Sequence, residues 1–277
     1  MTALPLKGGA SQTTHGIVAH VSVWGPRPGG ENIQRGITWS TRTFVLRTRS
    51  WRWREMKALD LFCGAGGAAM GLHMAGFEVV GVDIGNQPNY PFAFVRGDAL
   101  RPPLDLGTFD LIWASPPCQA YTSLNNVLGN EYPDLVAAAR ALLVDSGKPY
   151  IIENVAGAPL HNPVMLCGTM FGLRMFRHRY FESNLPLVAP EHVSHKALGL
   201  RAPRTGRQPQ DEGEVWSIFG HFSGVAEGRA AMGIDWYMTQ RETAQAIPPA
   251  YSEFLGRQVM HHIVRSAKGG RRHSPPR

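Results

Sequence analysis

Residues 58–67 read Ala58-Leu59-Asp60-Leu61-Phe62-Cys63-Gly64-Ala65-Gly66-Gly67. A short apolar run passing straight into closely spaced glycines predicts a buried strand, a tight turn and a helix over Gly67–Ala75. Outward from this stretch, Glu78–Val82, Phe92–Val95, Phe109–Ala114 and Tyr150–Ile152 read as further strands. Leu135–Val144 reads as an apolar helix, and helical patterns return at Arg241–Ile247 and Tyr251–Val264. Strands alternating with helices predict βαβ units and a parallel sheet, an α/β fold. In such sheets ligands bind beyond the carboxyl ends of the strands. The polar motifs fall at those ends: the glycine turn after the first strand, Asp83 after the second, Asp98 after the third, Pro116-Pro117-Cys118 after the fourth and Glu153-Asn154 after the fifth.

The glycine turn lets the backbone approach a ligand where a Cβ would clash, and the helix behind it offers unpaired N–H groups. Glycines also serve simple tight turns, so the turn alone leaves both readings open. Two carboxylates sharpen the case. Asp83 is placed to accept hydrogen bonds from ribose hydroxyls, and Asp98 to receive the exocyclic amine of an adenine. No Lys follows the glycines, which argues against a triphosphate-binding loop. An adenosine ligand without a pyrophosphate fits better, and S-adenosylmethionine is the common one.

Ser115-Pro116-Pro117-Cys118-Gln119 would hold a thiol rigidly at the mouth of the same sheet, because two prolines fix the backbone ahead of it. Cys118 reads either as an inert buried thiol or as a nucleophile. Glu153-Asn154 reads either as a surface turn or as a pair facing a cleft, since a buried strand running into such groups otherwise leaves them unsolvated.

At 277 residues with 43% hydrophobic content, the chain can bury a sizeable core. No stretch is apolar for the roughly 20 residues that a membrane span requires. Three scattered cysteines exclude a disulfide framework and a CxxC zinc site, and suit a reducing cytoplasm. His178, His192, His195 and His221 show no regular spacing, so no metal is expected, and Cys63 and Cys167 are expected to be packing residues. The net charge of +7 sits mostly at the ends. Residues 56–264 hold 15 Lys/Arg against 19 Asp/Glu, a net of −4. Within them, the basic segment 174–207 reads either as a polyanion contact or as a solvated loop.

Four blocks follow. Residues 1–55 form a basic extension without sustained periodicity, expected to be poorly ordered, with Met56 an alternative start. Residues 56–156 and 240–264 form the main domain, 157–239 a small loop-rich domain, and 265–277 a disordered basic tail.

Phe62-x-Gly64-x-Gly66-Gly67, Pro116-Pro117-Cys118-Gln119, Glu153-Asn154-Val155 and Arg177-x-Arg179, in this order, resemble the DNA (cytosine-5)-methyltransferases. The resemblance covers 57–182 and resumes near 240–260. It implies a Rossmann-like S-adenosylmethionine-dependent methyltransferase fold, the small loop-rich domain being the target-recognition region. It also implies a monomeric enzyme on double-stranded DNA, of restriction-modification type, with no membrane association. Cys118 is then the nucleophile at cytosine carbon 6, Glu153 the group at ring nitrogen 3, and Arg179 the arginine that touches the base, supported by Arg177. Phe62, Gly64, Ala65, Gly66, Gly67, Asp83, Asp98 and Pro117 would hold the cofactor. The loop 120–131 would close over a flipped base. Amino-group methyltransferases of similar fold carry an aromatic residue where this chain has Cys118. The same residues leave open a relative acting on RNA or a free nucleotide, or a silent DNA-binding one. The chain departs from the family pattern at Met175, in place of Gln, and at Arg257, in place of an Asn that helps hold the cofactor.

Overall fold

The computed structural model describes residues 55–121, 134–203 and 207–269, so the N-terminal extension up to residue 54 and most of the expected lid lie outside the described residues. Seven strands form one sheet: β1 (Met56–Leu61), β2 (Phe77–Asp83), β3 (Ala93–Arg96), β4 (Leu111–Ala114), β5 (Tyr150–Asn154), β6 (Val164–Leu166) and β7 (Arg179–Ser183). Their spatial order is β3-β2-β1-β4-β5-β7-β6. The first five pair in parallel; β7 runs antiparallel to both β5 and β6. Among the described residues, helices α1 (Gly67–Met74), α2 (Leu135–Asp145), α3 (Val225–Ala231), α4 (Gln240–Gln245) and α5 (Pro249–Gly269) accompany the sheet. This is the Rossmann-like methyltransferase arrangement that the alternating pattern and the motif resemblance imply.

Side chains of the central strands alternate between two buried layers, as the two-residue period of a strand requires. Leu111, Trp113 and Ile151 enter one layer with Leu72 of α1 and Tyr251, Leu255 and Val259 of α5. Leu59, Leu61, Ile112 and Ile152 enter the other, with Val136 and Leu143 of α2. Burying each of these large side chains stabilises by about 1.5–3 kcal/mol. Helices α1 and α5 approach so closely that a Cβ at Gly71 would collide with the backbone N–H of Glu253 at 2.6 Å. Asp134 starts α2: its carboxylate accepts from Val136 N at 3.0 Å and Ala137 N at 3.3 Å, a cap worth about 1 kcal/mol.

The 157–239 stretch contributes strands β6 and β7 to the main sheet. Its later part instead packs a third cluster, in which Met175, Ile218, Phe222, Met232 and Ile234 meet Ala65 of the glycine turn. At the other end α5 continues to Gly269, with exposed residues past Val264 added to a helix already started, so the first residues of the expected tail are helical.

Candidate functional site

The strand order reverses between β1 and β4, and a crevice opens there at the carboxyl ends of the parallel strands. It is a cavity of about 830 Å³. One wall holds Phe62, Gly64, Ala65, Gly67, Asp83 and Asp98; another holds Pro117, Cys118, Glu153 and Arg179. The two motif groups read separately from the sequence therefore line one space.

The glycine wall is shaped by left-handed backbone. Phe62 has φ 58°, Gly64 φ 49° and Gly66 φ 88°. Nothing lies within 4 Å of the Cβ position at Gly64, which faces open space. Gly66 differs: it does not line the cavity, and a Cβ there would meet Pro91 Cδ at 2.7 Å. Its part is to make the turn. Asp83 locks that turn, accepting from Gly64 N at 3.1 Å and from Gly85 N at 2.8 Å. Asp98 accepts from Leu100 N at 2.9 Å, which leaves its other oxygen outside that turn. Trp236 Nε1 donates to Ala65 O at 3.0 Å, tying the 157–239 stretch to the turn.

Asp60 was not singled out from sequence, although a carboxylate between Leu59 and Leu61 is itself a signal. It is fully buried, lines the cavity, and neither carboxyl oxygen has a hydrogen-bond partner among the described residues. Burial, then repulsion from Asp83, pushes its carboxyl well above the usual range. A cationic group entering the cavity would relieve that cost. S-adenosylmethionine carries an α-ammonium and a sulfonium, so this wall fits it.

On the thiol wall, Trp113 Nε1 donates to Ser115 Oγ at 2.9 Å, and Asn154 Nδ2 donates to Pro116 O at 3.0 Å. These bonds fix the Pro-Pro corner to the ends of β4 and β5. Cys118 is half-buried. Burial pushes its thiol up, opposed by Arg179 and reinforced by Glu153. Glu153, at 6% exposure, is also pushed up by burial, with Arg179 and Arg177 pulling the other way. Arg179 Nε lies 3.0 Å from Glu153 Oε1.

That contact follows from topology. Because β7 enters antiparallel from the carboxyl end of β5, Asn154 pairs with Tyr180 and Glu153 with Phe181. The first residue of β7 thus reaches the cavity mouth. Arg177 stays behind the wall, 3% exposed, donating to Ile218 O at 2.6 Å and Ala244 O at 2.8 Å. Its Nε finds no partner among the described residues, and burial lowers its pKa to about 9. The hydroxyl of Tyr251 donates to Arg177 O at 2.7 Å, a support that the sequence did not reveal.

Among the described residues of the basic segment 174–207, three arginines are engaged within the protein. Arg174 donates to Glu212 O at 2.8 Å, Arg201 pairs with Asp211, and Arg207 pairs with Glu214 at 2.7 Å. These arginines hold their own loop. Met175, in the family's Gln position, is fully buried. Arg257 lies outside the cavity, pairing with Glu253 at 2.7 Å and donating to Met74 O at 3.3 Å. The cavity edge nearest the C-terminus is made by residues of α4 and its flanks, among them Thr239, Glu242 and Ile247. Among the described residues no helix is long and apolar enough to cross a membrane.

Several known proteins are similar to this chain. A type II methyltransferase, M.AgeI of Thalassovita gelatinovora, is 28% identical over 121 residues, covering 37% of this chain and 28% of that protein's length. The S. pombe Dnmt2 methyltransferase aligns over 76% of this chain and 99% of its own, at 12% identity and a TM-score of 0.46. The Entamoeba histolytica methyltransferase EhMeth does so over the same shares, at 13% identity and a TM-score of 0.47. The sequence model for C-5 cytosine-specific DNA methylases matches residues 56–163. That segment, which carries the glycine turn, the Pro-Pro-Cys corner and Glu153, is thus similar to the C-5 cytosine-specific DNA methylases.

Proposed function

We propose that this protein transfers a methyl group from S-adenosylmethionine to carbon 5 of cytosine in double-stranded DNA, through a transient bond between Cys118 and the base. The observation that carries the reading is the shared cavity, with Asp60, Asp83 and Asp98 on one wall and Cys118, Glu153 and Arg179 on the other.

Carbon 5 of cytosine is a poor nucleophile until a group adds at carbon 6. Cys118 sulfur forms that bond, and the electron density gained by the ring is directed to carbon 5. Glu153, whose carboxyl burial pushes up, passes a proton to ring nitrogen 3 and lowers the cost of the attack. Arg179 holds the Glu153 carboxyl in place. S-adenosylmethionine, when bound, supplies the electrophilic methyl group. S-adenosylhomocysteine is left behind, a base takes the carbon 5 proton, the C6–S bond breaks so that Cys118 leaves as thiolate, and ring nitrogen 3 returns its proton to Glu153. The target base has to leave the duplex to reach the thiol, at a cost of a few kcal/mol.

Incubation with methyl-labelled S-adenosylmethionine and, separately, duplex DNA, RNA and dCMP tests the reading. Label on duplex DNA cytosine alone supports it. Label only on RNA or on the free nucleotide replaces the substrate, and no label on any of the three refutes the activity.

A further inference from the structure

Four metal-binding side chains converge away from the cavity. Cys167 follows β6, His178 precedes β7, and His192 and His195 lie in the segment after β7. The pairing of Leu166 with Arg179 in the antiparallel β6–β7 ladder brings the next two positions, Cys167 and His178, opposite one another. The sulfur and the three ring nitrogens all lie within 4.8 Å of one another. Cys167 Sγ is 3.2 Å from His195 Nε2, and His192 Nε2 is 3.2 Å from that same nitrogen.

Hydrogen bonding alone does not account for this packing. A ring nitrogen offers one in-plane position, either an N–H or a lone pair. His195 Nε2 faces two partners at 3.2 Å and can align with only one. A cation at the common centre satisfies every group at once. With Zn–S about 2.3 Å and Zn–N about 2.0–2.1 Å, a tetrahedral ion sets its ligand atoms about 3.3–3.6 Å apart. The shortest edges here are already close to that. The surroundings are built for order as well: Phe176 stacks on His195 at 3.7 Å and 8°, and Thr169 Oγ1 donates to Cys167 Sγ at 3.5 Å.

We propose that Cys167, His178, His192 and His195 form a closed, structural zinc site. One thiolate with three imidazoles suits Zn²⁺ and not the hard, oxygen-seeking Mg²⁺ or Ca²⁺. Four protein ligands leave no open position for a substrate. The site pins the segment after β7 back onto the β6–β7 junction. It also steadies the start of β7, where Arg179 Nη1 donates to His178 O at 2.8 Å before the side chain reaches Glu153. The sequence concealed it because the spacing of the four residues is irregular and a strand pairing assembles them. The inference stands whether or not the methyltransferase reading holds.

The test is the metal content of the full chain, purified without chelator and with no affinity tag retained. Elemental analysis is expected to find about one zinc per chain. Cys167→Ser and His195→Ala lose it, whereas His221→Ala, at an exposed position outside the cluster, keeps it. Since a ligand variant can fail to fold, cobalt replaces zinc in the wild-type chain as a second measurement. The expected spectrum has the intense visible bands of tetrahedral cobalt and a near-ultraviolet thiolate-to-cobalt transition. Absence of stoichiometric zinc together with a weak octahedral cobalt spectrum overturns the proposal. So does full zinc retention in soluble Cys167→Ser.

Discussion

Arg179 Nε lies 3.0 Å from Glu153 Oε1, and both side chains are mostly buried, at 17% and 8% exposure. The pair crosses from β7 to β5, so an antiparallel strand added to a parallel sheet delivers a cation to the end of its neighbour. Burial works against the charged forms of Glu153 and Cys118, and Arg179 is the first opposing influence on each. The arginine therefore sets the balance of both groups without itself bonding to the sulfur.

Replacing Arg179 by Ala leaves Glu153 buried without its ion pair. Methyl transfer is expected to fall by about 10²-fold or more, the scale of a lost acid–base arrangement. Arg179→Lys keeps the charge but not the geometry and falls by less. The rate of Cys118 alkylation against pH checks the electrostatic part. Its midpoint, already above that of a free thiol because of burial, moves higher still in Arg179→Ala. An unmoved midpoint contradicts the coupling.

Asp60→Asn removes a buried carboxyl that has no partner among the described residues. Its pKa is higher folded than unfolded, so the folded state holds the proton more tightly. Stability from this group is thus full at low pH and declines as pH rises from about 4 toward the folded value. At neutral pH the ligand-free Asn variant is expected to be more stable, by about 1–3 kcal/mol. The gain shrinks as pH falls toward 4. Binding of S-adenosylmethionine weakens in parallel. Thermal melts across pH check the first claim and calorimetry the second; a less stable ligand-free variant contradicts the account.

Asp83→Ala removes the acceptor of two backbone N–H groups that hold the glycine turn. Together with loss of the ribose contact assigned to it, this is expected to weaken S-adenosylmethionine binding by about 10–100-fold, or about 1.4–2.8 kcal/mol. Unchanged affinity by calorimetry would show that the turn needs no such support.

The alternation of strands with helices and the grouping of motifs at the strands' carboxyl ends were legible because buried parallel strands appear as plain apolar runs. Strands β6 and β7 were not. Val164–Leu166 is too short for any period to show, and Arg179–Ser183 carries Arg179 and Glu182 inside the fold. Those two charges find partners that the sequence does not bring near: Glu153 for the first, and for the second Arg140 on α2, whose Nη2 lies 2.6 Å from its carboxylate. The basic segment 174–207 likewise finds counter-charges beyond itself, at Asp211 and Glu214. Asp60, by contrast, was readable and overlooked.

Arg257 stands where the family pattern has a cofactor-holding Asn, yet it lies outside the cavity and is 62% exposed. Arg257→Asn is therefore expected to change S-adenosylmethionine affinity by less than about two-fold. Loss of its exposed pair with Glu253 costs at most about 0.5 kcal/mol. A large gain in affinity on calorimetry would show that the position still governs cofactor binding.

The thiol of Cys118 is the centre of the account, and duplex DNA containing 5-fluorocytosine interrogates it directly. Fluorine at carbon 5 cannot leave as a proton does, so the Cys118–base bond persists once the methyl group has transferred. In the presence of S-adenosylmethionine, the predicted result is a protein–DNA adduct that survives denaturing electrophoresis and maps to Cys118, with none formed by Cys118→Ser. Methyl transfer to ordinary cytosine by Cys118→Ser at the wild-type rate, or an adduct on another residue, would contradict it.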